Sequence, residues 1–121
     1  MRPLDFVLLV GYAVALSVGQ LLFKLAAPAT KVPDFAAGVS GLLMSPAFVG
    51  GAVLYAALMF YWTWLLGRVP LNYAYPIVAL CFVLVPLMSW LVFGERVGTI
   101  YFVGLVFIVV GVAIIGFASS P

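Results

Sequence analysis

The run LDFVLLVGYAVALSVGQLLFKLAA, from Leu4 to Ala27, decides how this chain must be read. A helix that crosses a bilayer needs roughly 20 apolar residues, because each rises about 1.5 Å through a hydrocarbon core about 30 Å thick. This run is long enough, stops before Pro28, and carries charge only at Asp5 and Lys24, near its two ends. Inside it, Ser17, Gln20 and Lys24 fall at i, i+3 and i+7, which places them on one helical face. Polar side chains are costly in hydrocarbon, so this stripe is expected to look into a bundle or a watery cavity. Lys24 itself admits two readings. It stands about one turn from the helix end, where a lysine snorkels to the headgroups, or it holds an anion.

Outward from this run the pattern repeats. Further apolar spans are expected over residues 46–67, 71–93 and 99–118, with Pro46 suited to a first helical turn and Pro70 to a helix start. The remaining charges fall between the spans: Lys31 and Asp34, then Arg68, then Glu95 and Arg96. The whole chain is 68% hydrophobic and only 7% charged, against about 25% charged in a typical soluble domain. Lipid must therefore solvate most of its surface. The expectation is an all-α integral membrane bundle of four transmembrane helices, a single domain over residues 1–121. The opening residues do not read as a cleavable signal: the first run is too long, no small-residue cleavage site closes it, and three more spans follow.

Arg68-Val69-Pro70 and Gly94-Glu95-Arg96-Val97-Gly98 are tight connections, so the second and third spans, and the third and fourth, should form antiparallel hairpins. The stretch from Pro28 to Ser45 is longer. Asp34 can cap a short helix there, with Phe35, Val39, Leu42 and Leu43 on one apolar face. It is too short to span, and is read as a short interfacial helix between helices 1 and 2. Four spans put Arg2 and Arg68 on one face and Lys24, Lys31 and Arg96 on the other. Two basic residues against three give the positive-inside rule almost nothing to act on.

Composition narrows the function. Five basic and three acidic residues are too sparse for a nucleic-acid face. Histidine is absent and Cys81 is the one cysteine, so no disulfide and no two-cysteine metal motif can form within the chain. No nucleophile–base pair is visible, and no enzyme activity, metal or cofactor is expected. Asp5, Asp34 and Glu95 all fall near membrane edges, which argues against a mechanism built on a buried carboxylate. Glu95 and Arg96 read most simply as a solvated turn pair, and Cys81 as a small packing residue.

The third span opens Leu71-Asn72-Tyr73-Ala74-Tyr75-Pro76. Pro76 and Pro86 cannot donate to the carbonyls of Asn72 and Phe82, and carbonyls freed in this way are used by transporters for binding; the plainer reading is a packing kink. The second span carries Tyr55, Tyr61, Trp62 and Trp64. Trp64 fits an interfacial aromatic belt. Tyr61, deeper, is the candidate for stacking against a sugar or an organic cation. In the fourth span Gly104 and Gly111 lie seven apart on one face. Such a groove admits a neighbouring helix closely, and dimerisation is favoured over packing within the chain.

Taken in order, Gly19-Gln20 with Lys24, the run from Val69 to Pro76, Phe93-Gly94-Glu95-Arg96, and Gly104-Leu105 to Gly111-Val112 resemble the drug/metabolite transporter superfamily, in its four-helix, small multidrug resistance-like branch. The resemblance covers nearly the whole chain. Drug exporters of this type carry a membrane-embedded glutamate in helix 1 and a tryptophan in helix 3. Leu16 and Val78 stand at those positions here, whereas Tyr75 matches the family tyrosine. The glycine–glutamine–lysine and alanine–tyrosine–proline patterns are similar to those of the small paired subunits that flip aminoarabinose-phosphoundecaprenol across the bacterial inner membrane.

That resemblance implies a transporter that flips a polyprenyl-phosphate-linked sugar, working as a homodimer or paired heterodimer in the inner membrane. Lys24 would pair with the phosphodiester, helped by Gln20 and the freed carbonyls around Pro76, with Ser17, Asn72 and Tyr75 also expected at the substrate site. Two other readings stay open. One is a small multidrug or quaternary-cation exporter coupled in some other way. The other is a structural or assembly subunit that transports nothing.

Overall fold

The computed structural model describes residues 3–118. Arg2, one of the two basic residues counted for its face, lies outside them. Among the described residues the chain is all helical. Helix α1 covers Pro3–Ala26 and runs on into a 3-10 turn, Ala27–Thr30. Then follow α2 (Phe35–Leu43), α3 (Pro46–Leu66), α4 (Leu71–Val78), α5 (Cys81–Phe93) and α6 (Thr99–Ala118). Three segments are long and apolar enough to cross a membrane: Pro3–Thr30, Pro46–Leu66 and Leu71–Phe93. A shorter apolar helix, Thr99–Ile115, follows them.

The helix ends sit where local chemistry puts them. Asp34 accepts from the Ala36 N–H at 3.2 Å and starts α2. Ser45 accepts from the Phe48 N–H at 3.4 Å and starts α3, with Pro46 in the first turn. Gly94 closes α5 in the left-handed region (φ 70°), which only glycine enters without strain.

Sequence reasoning expected one continuous helix over 71–93, disturbed at its prolines. Pro76 and Pro86 instead lie inside α4 and α5, and the interruption falls between them at Ala79 and Leu80. There the amides of Leu80, Phe82 and Val83 donate three residues back, to Ile77, Ala79 and Leu80. Bonds of that span wind the chain tighter than an α-helix. The break therefore stays hydrogen-bonded, as a backbone at membrane depth must.

The hairpin expectation needs a correction. The turn after α3 does reverse the chain, but α3 and α5 are not neighbours along their length, because α1 lies between them. Tyr61 meets Leu8, Tyr55 meets Leu16 and Arg68 meets Asp5, so α3 runs antiparallel to α1. Cys81 meets Ala13 and Lys24 meets Glu95, so α4 and α5 run parallel to it. Small residues make the sandwich possible. Ala13, Ser17 and Gly19 of α1 are all buried, and they let helices approach on two sides. Helix α6 stands outermost, against α4 and α5.

Compared with a water-soluble domain the chain is inside out. Leu9, Leu65, Val69, Ala74 and Ile77 form a modest core at one end. Phe35, Phe60, Ile100, Phe107 and Phe117 are among the many large apolar side chains that face outward. So much exposed apolar surface is stable only against lipid. In α2, Phe35 and Leu43 are exposed and Gly38 is the buried residue, so the apolar face read from the sequence points away from the protein.

Candidate substrate-binding site

An ion pair marks each end of α1. At one end the Arg68 guanidinium meets the buried Asp5 carboxylate at 3.2 Å and lies over the Trp64 ring, 5.0 Å from its centroid. At the other, Lys24 Nζ lies 3.3 Å from Glu95 Oε1. Nineteen residues of helix separate Asp5 from Lys24, a rise of about 28 Å, close to the thickness of a hydrocarbon core.

The stripe of helix 1 divides by depth. Ser17 is fully buried and spends its hydroxyl on its own helix, donating to the Ala13 carbonyl at 2.9 Å. The Cys81 thiol donates to that same carbonyl from α5 at 3.3 Å, so Cys81 does more than fill space. Gln20 is exposed, and its amide donates to the Tyr55 hydroxyl at 2.6 Å. Tyr55 in turn donates to the Leu16 carbonyl at 3.2 Å. Its ring lies against Gly19 so closely that a Cβ there would collide with it. The backbone of the position where drug exporters carry glutamate thus anchors a tyrosine.

Glu95 is no merely solvated turn residue. It takes Lys24 on one oxygen and the Ser89 hydroxyl, at 2.7 Å, on the other. Both side chains of the pair stay open to solvent, 59% exposed for Lys24 and 49% for Glu95. Exposed pairs contribute little to stability. A ligand that offers its own charges can therefore exchange for this one at small cost.

Hydrogen bonds from Ser89 and Lys24, and the Lys24 charge, hold the Glu95 carboxyl below the usual carboxylate range. A lowered native pKa means that the pair supports the folded state above the ordinary glutamate pKa. That support is lost as pH falls through the lowered value. Carbon-13 NMR of the Glu95 carboxyl should therefore give a midpoint below that of an exposed glutamate, and Lys24→Met should raise it. Equal midpoints in the two proteins would contradict the pairing.

The other sequence-predicted residues do not join this group. Tyr61 donates to the Leu8 carbonyl at 3.0 Å, nearer the Asp5 end of α1. Its ring stacks on Tyr12, which stacks on Trp62, and Trp62 meets Tyr75 edge-on. Asn72 and Tyr75 are exposed on α4, and Pro76 is half-buried there. The expected single site is thus two: Gln20 and Lys24 at one end, Tyr61, Asn72, Tyr75 and Pro76 toward the other, with Ser17 buried in between. Gly104 and Gly111 are open, with nothing near where a Cβ would stand, so packing within the chain does not explain them.

Tyr55 and Glu95 were missed as partners of the stripe. The signal for Glu95 was present, since four spans put Lys24 and the turn at 94–98 on one face. No comparable signal marked Tyr55, whose contact depends on the register between α1 and α3.

No protein-family model matches the chain, and no solved structure does. Curated relatives do. A probable 4-amino-4-deoxy-L-arabinose-phosphoundecaprenol flippase subunit ArnE of Sodalis glossinidius (strain morsitans) is 38% identical over 99 residues, 81% of this chain and 84% of that protein. A protein of the same description from Pseudomonas paraeruginosa (strain DSM 24068 / PA7) is 49% identical over 55 residues, 46% of this chain and 48% of its own. Another, from Photorhabdus laumondii subsp. laumondii, is 34% identical over 64 residues, 53% and 57% of the two chains. The last two matches span about half the length of those relatives.

Proposed function

The chain belongs to the family of small 4-amino-4-deoxy-L-arabinose-phosphoundecaprenol flippase subunits, and on that premise we propose that it is a four-span subunit of a flippase that moves a polyprenyl-phosphate-linked sugar across the bacterial inner membrane. Helix α6, with 20 residues, is about 30 Å long and completes the fourth span. Helix α2, with its outward apolar face, lies in the interface. The relatives are described as subunits, and the open Gly104 and Gly111 face supports work as one half of a paired assembly.

The observation that carries this reading is the Lys24–Glu95 pair at the open end of the bundle, beside the Gln20–Tyr55 bond. It presents one cation and one anion. The substrate in the relatives' description presents the reverse, a phosphate ester and an amine. Lys24 takes the phosphate and Glu95 the amine, and the exchange leaves no charge unpartnered. Gln20, freed from Tyr55, can donate to a phosphate or sugar oxygen.

The exporter reading loses ground on the same observation. All three acids of the sequence lie at the ends of helices or in turns, and Leu16 stands where an exporter needs its glutamate. Binding to protein in lipid nanodiscs tests the choice. Aminoarabinosyl phosphoundecaprenol should bind and quaternary ammonium compounds should not compete. Tight binding of a quaternary cation, with none of the glycolipid, would reverse the assignment.

A further inference from the structure

Helix α6 touches the bundle loosely, and a cleft of about 580 Å³ separates it from α5. Pro86, Leu87 and Trp90 line it on α5, and Phe102 and Leu105 on α6. One charged residue lines it too: Arg96, from the turn that joins the two helices. A second hollow, of about 270 Å³, shares Val83, Phe102 and Leu105 with the first. It continues along α6 past Val106 to Val109 and Val110, and no charged residue lines it. From Phe102 to Val110 the helix rises about 12 Å. The groove thus starts at a cation by the membrane edge and continues as apolar surface into the depth of the bilayer.

A groove of that character suits a molecule with one anionic group and a long apolar chain. Arg96 has no ion-pair partner among the described residues, although its neighbour Glu95 does. A guanidinium at the mouth of an apolar slot matches a phosphate geometrically and in charge. The groove also keeps clear of the dimerisation face. At about 100° per residue, Gly104 and Gly111 lie on the side of α6 opposite Phe102, Val106 and Val109. A second subunit on the glycine face leaves the groove open.

We propose that the α5–α6 groove is the seat of a polyprenyl phosphate, with the prenyl chain along Pro86, Trp90, Phe102 and Leu105 and the phosphate on Arg96. This rests on the flippase reading and deepens it. In the lipid-linked aminosugar, Arg96 meets the one phosphate from the groove side and Lys24 meets it from the other, while Glu95 takes the amine; undecaprenyl phosphate brings no amine, so Lys24 stays on Glu95 and Arg96 alone faces its phosphate. The prenyl chain stays in apolar surroundings throughout, while the headgroup meets fixed charges at the membrane edge.

The test is binding of undecaprenyl phosphate, undecaprenol and inorganic phosphate to the full chain in lipid nanodiscs, by native mass spectrometry. Undecaprenyl phosphate should bind about tenfold more tightly than the alcohol, as one charge-assisted contact allows. Inorganic phosphate alone should not bind. Arg96→Gln, on an exposed turn where folding is insensitive, should remove most of the preference for the phosphate. Leu105→Trp, which fills the groove, should weaken both lipids. The proposal is overturned if both variants bind undecaprenyl phosphate as the wild type does, or if inorganic phosphate binds equally well. It is also overturned if Leu105→Trp changes the oligomeric state and leaves lipid binding intact, because the groove would then belong to a second copy. A wild type that seats undecaprenyl phosphate in this way and yet moves no lipid-linked sugar would refute the flippase reading while leaving the groove assigned.

Discussion

Replacing Lys24 by alanine is expected to weaken binding of the lipid-linked aminosugar about tenfold, the lower end for a charge-assisted contact open to solvent. The fold should survive, because the lysine is largely exposed and its one ion-pair partner among the described residues is a half-exposed carboxylate. The variant removes the cation for the phosphate and leaves Glu95 unpaired at the site. Arginine at position 24 should restore much of the affinity, since it keeps the charge and can grip a phosphate with two donors. Glutamine should not. Binding isotherms on protein in nanodiscs would read all three. Alanine and wild-type proteins of equal affinity would show that Lys24 only snorkels to the headgroups.

The second large effect concerns packing. Gly19→Ala should destabilise the bundle by about 1–3 kcal/mol, the usual cost of forcing extra volume into a packed site. The added methyl group would meet the Tyr55 ring. That ring cannot turn aside freely, because its hydroxyl is tied to both Gln20 and the Leu16 carbonyl, and Phe23 packs on its edge. The melting temperature in mild detergent should fall. Adding Tyr55→Leu should recover much of the loss by opening space, whereas Tyr55→Phe should not, as the ring remains. A Gly19→Ala protein that melts with the wild type would mean that α1 and α3 do not meet at this point.

These two residues also mark how far the sequence could be read. Three of the spans were legible because lipid demands long apolar runs, and prolines and charged turns bound them. The Asp34 cap and the Pro46 start were legible because capping depends on residues a few positions apart. Gly19 was visible as part of a motif, but its partner Tyr55 lies 36 positions away across a helix interface, and hydrophobicity alone does not specify that register. The placement of α1 between α3 and α5 was hidden for the same reason. Short turns fix chain direction, but which helices become neighbours depends on where small residues allow close approach.

The break at Ala79 and Leu80 was misplaced because proline marks a lost donor, and the helix can absorb that loss and change its winding elsewhere. Glu95 was misread because a charged residue in a turn is usually solvated. Its position on the same membrane face as Lys24 was available, and was the stronger signal. The family resemblance joined Tyr75 to Lys24, and Tyr61 was a stacking candidate on the second span. The structure separates both tyrosines from Lys24 by most of a membrane thickness, as an aromatic cluster around Tyr12.

On the proposed function, this chain works as one half of a paired assembly that carries an amine-bearing lipid-linked sugar from one leaflet to the other. Vesicles loaded with aminoarabinosyl phosphoundecaprenol and challenged from outside with a membrane-impermeant amine reagent measure this directly. With the wild-type assembly, the fraction of modified lipid should rise beyond the outer-leaflet half toward completion, and Lys24→Ala should slow that second phase. Modification that halts at the outer-leaflet half with the wild-type assembly, as in protein-free vesicles, would rule out transport of the aminosugar lipid.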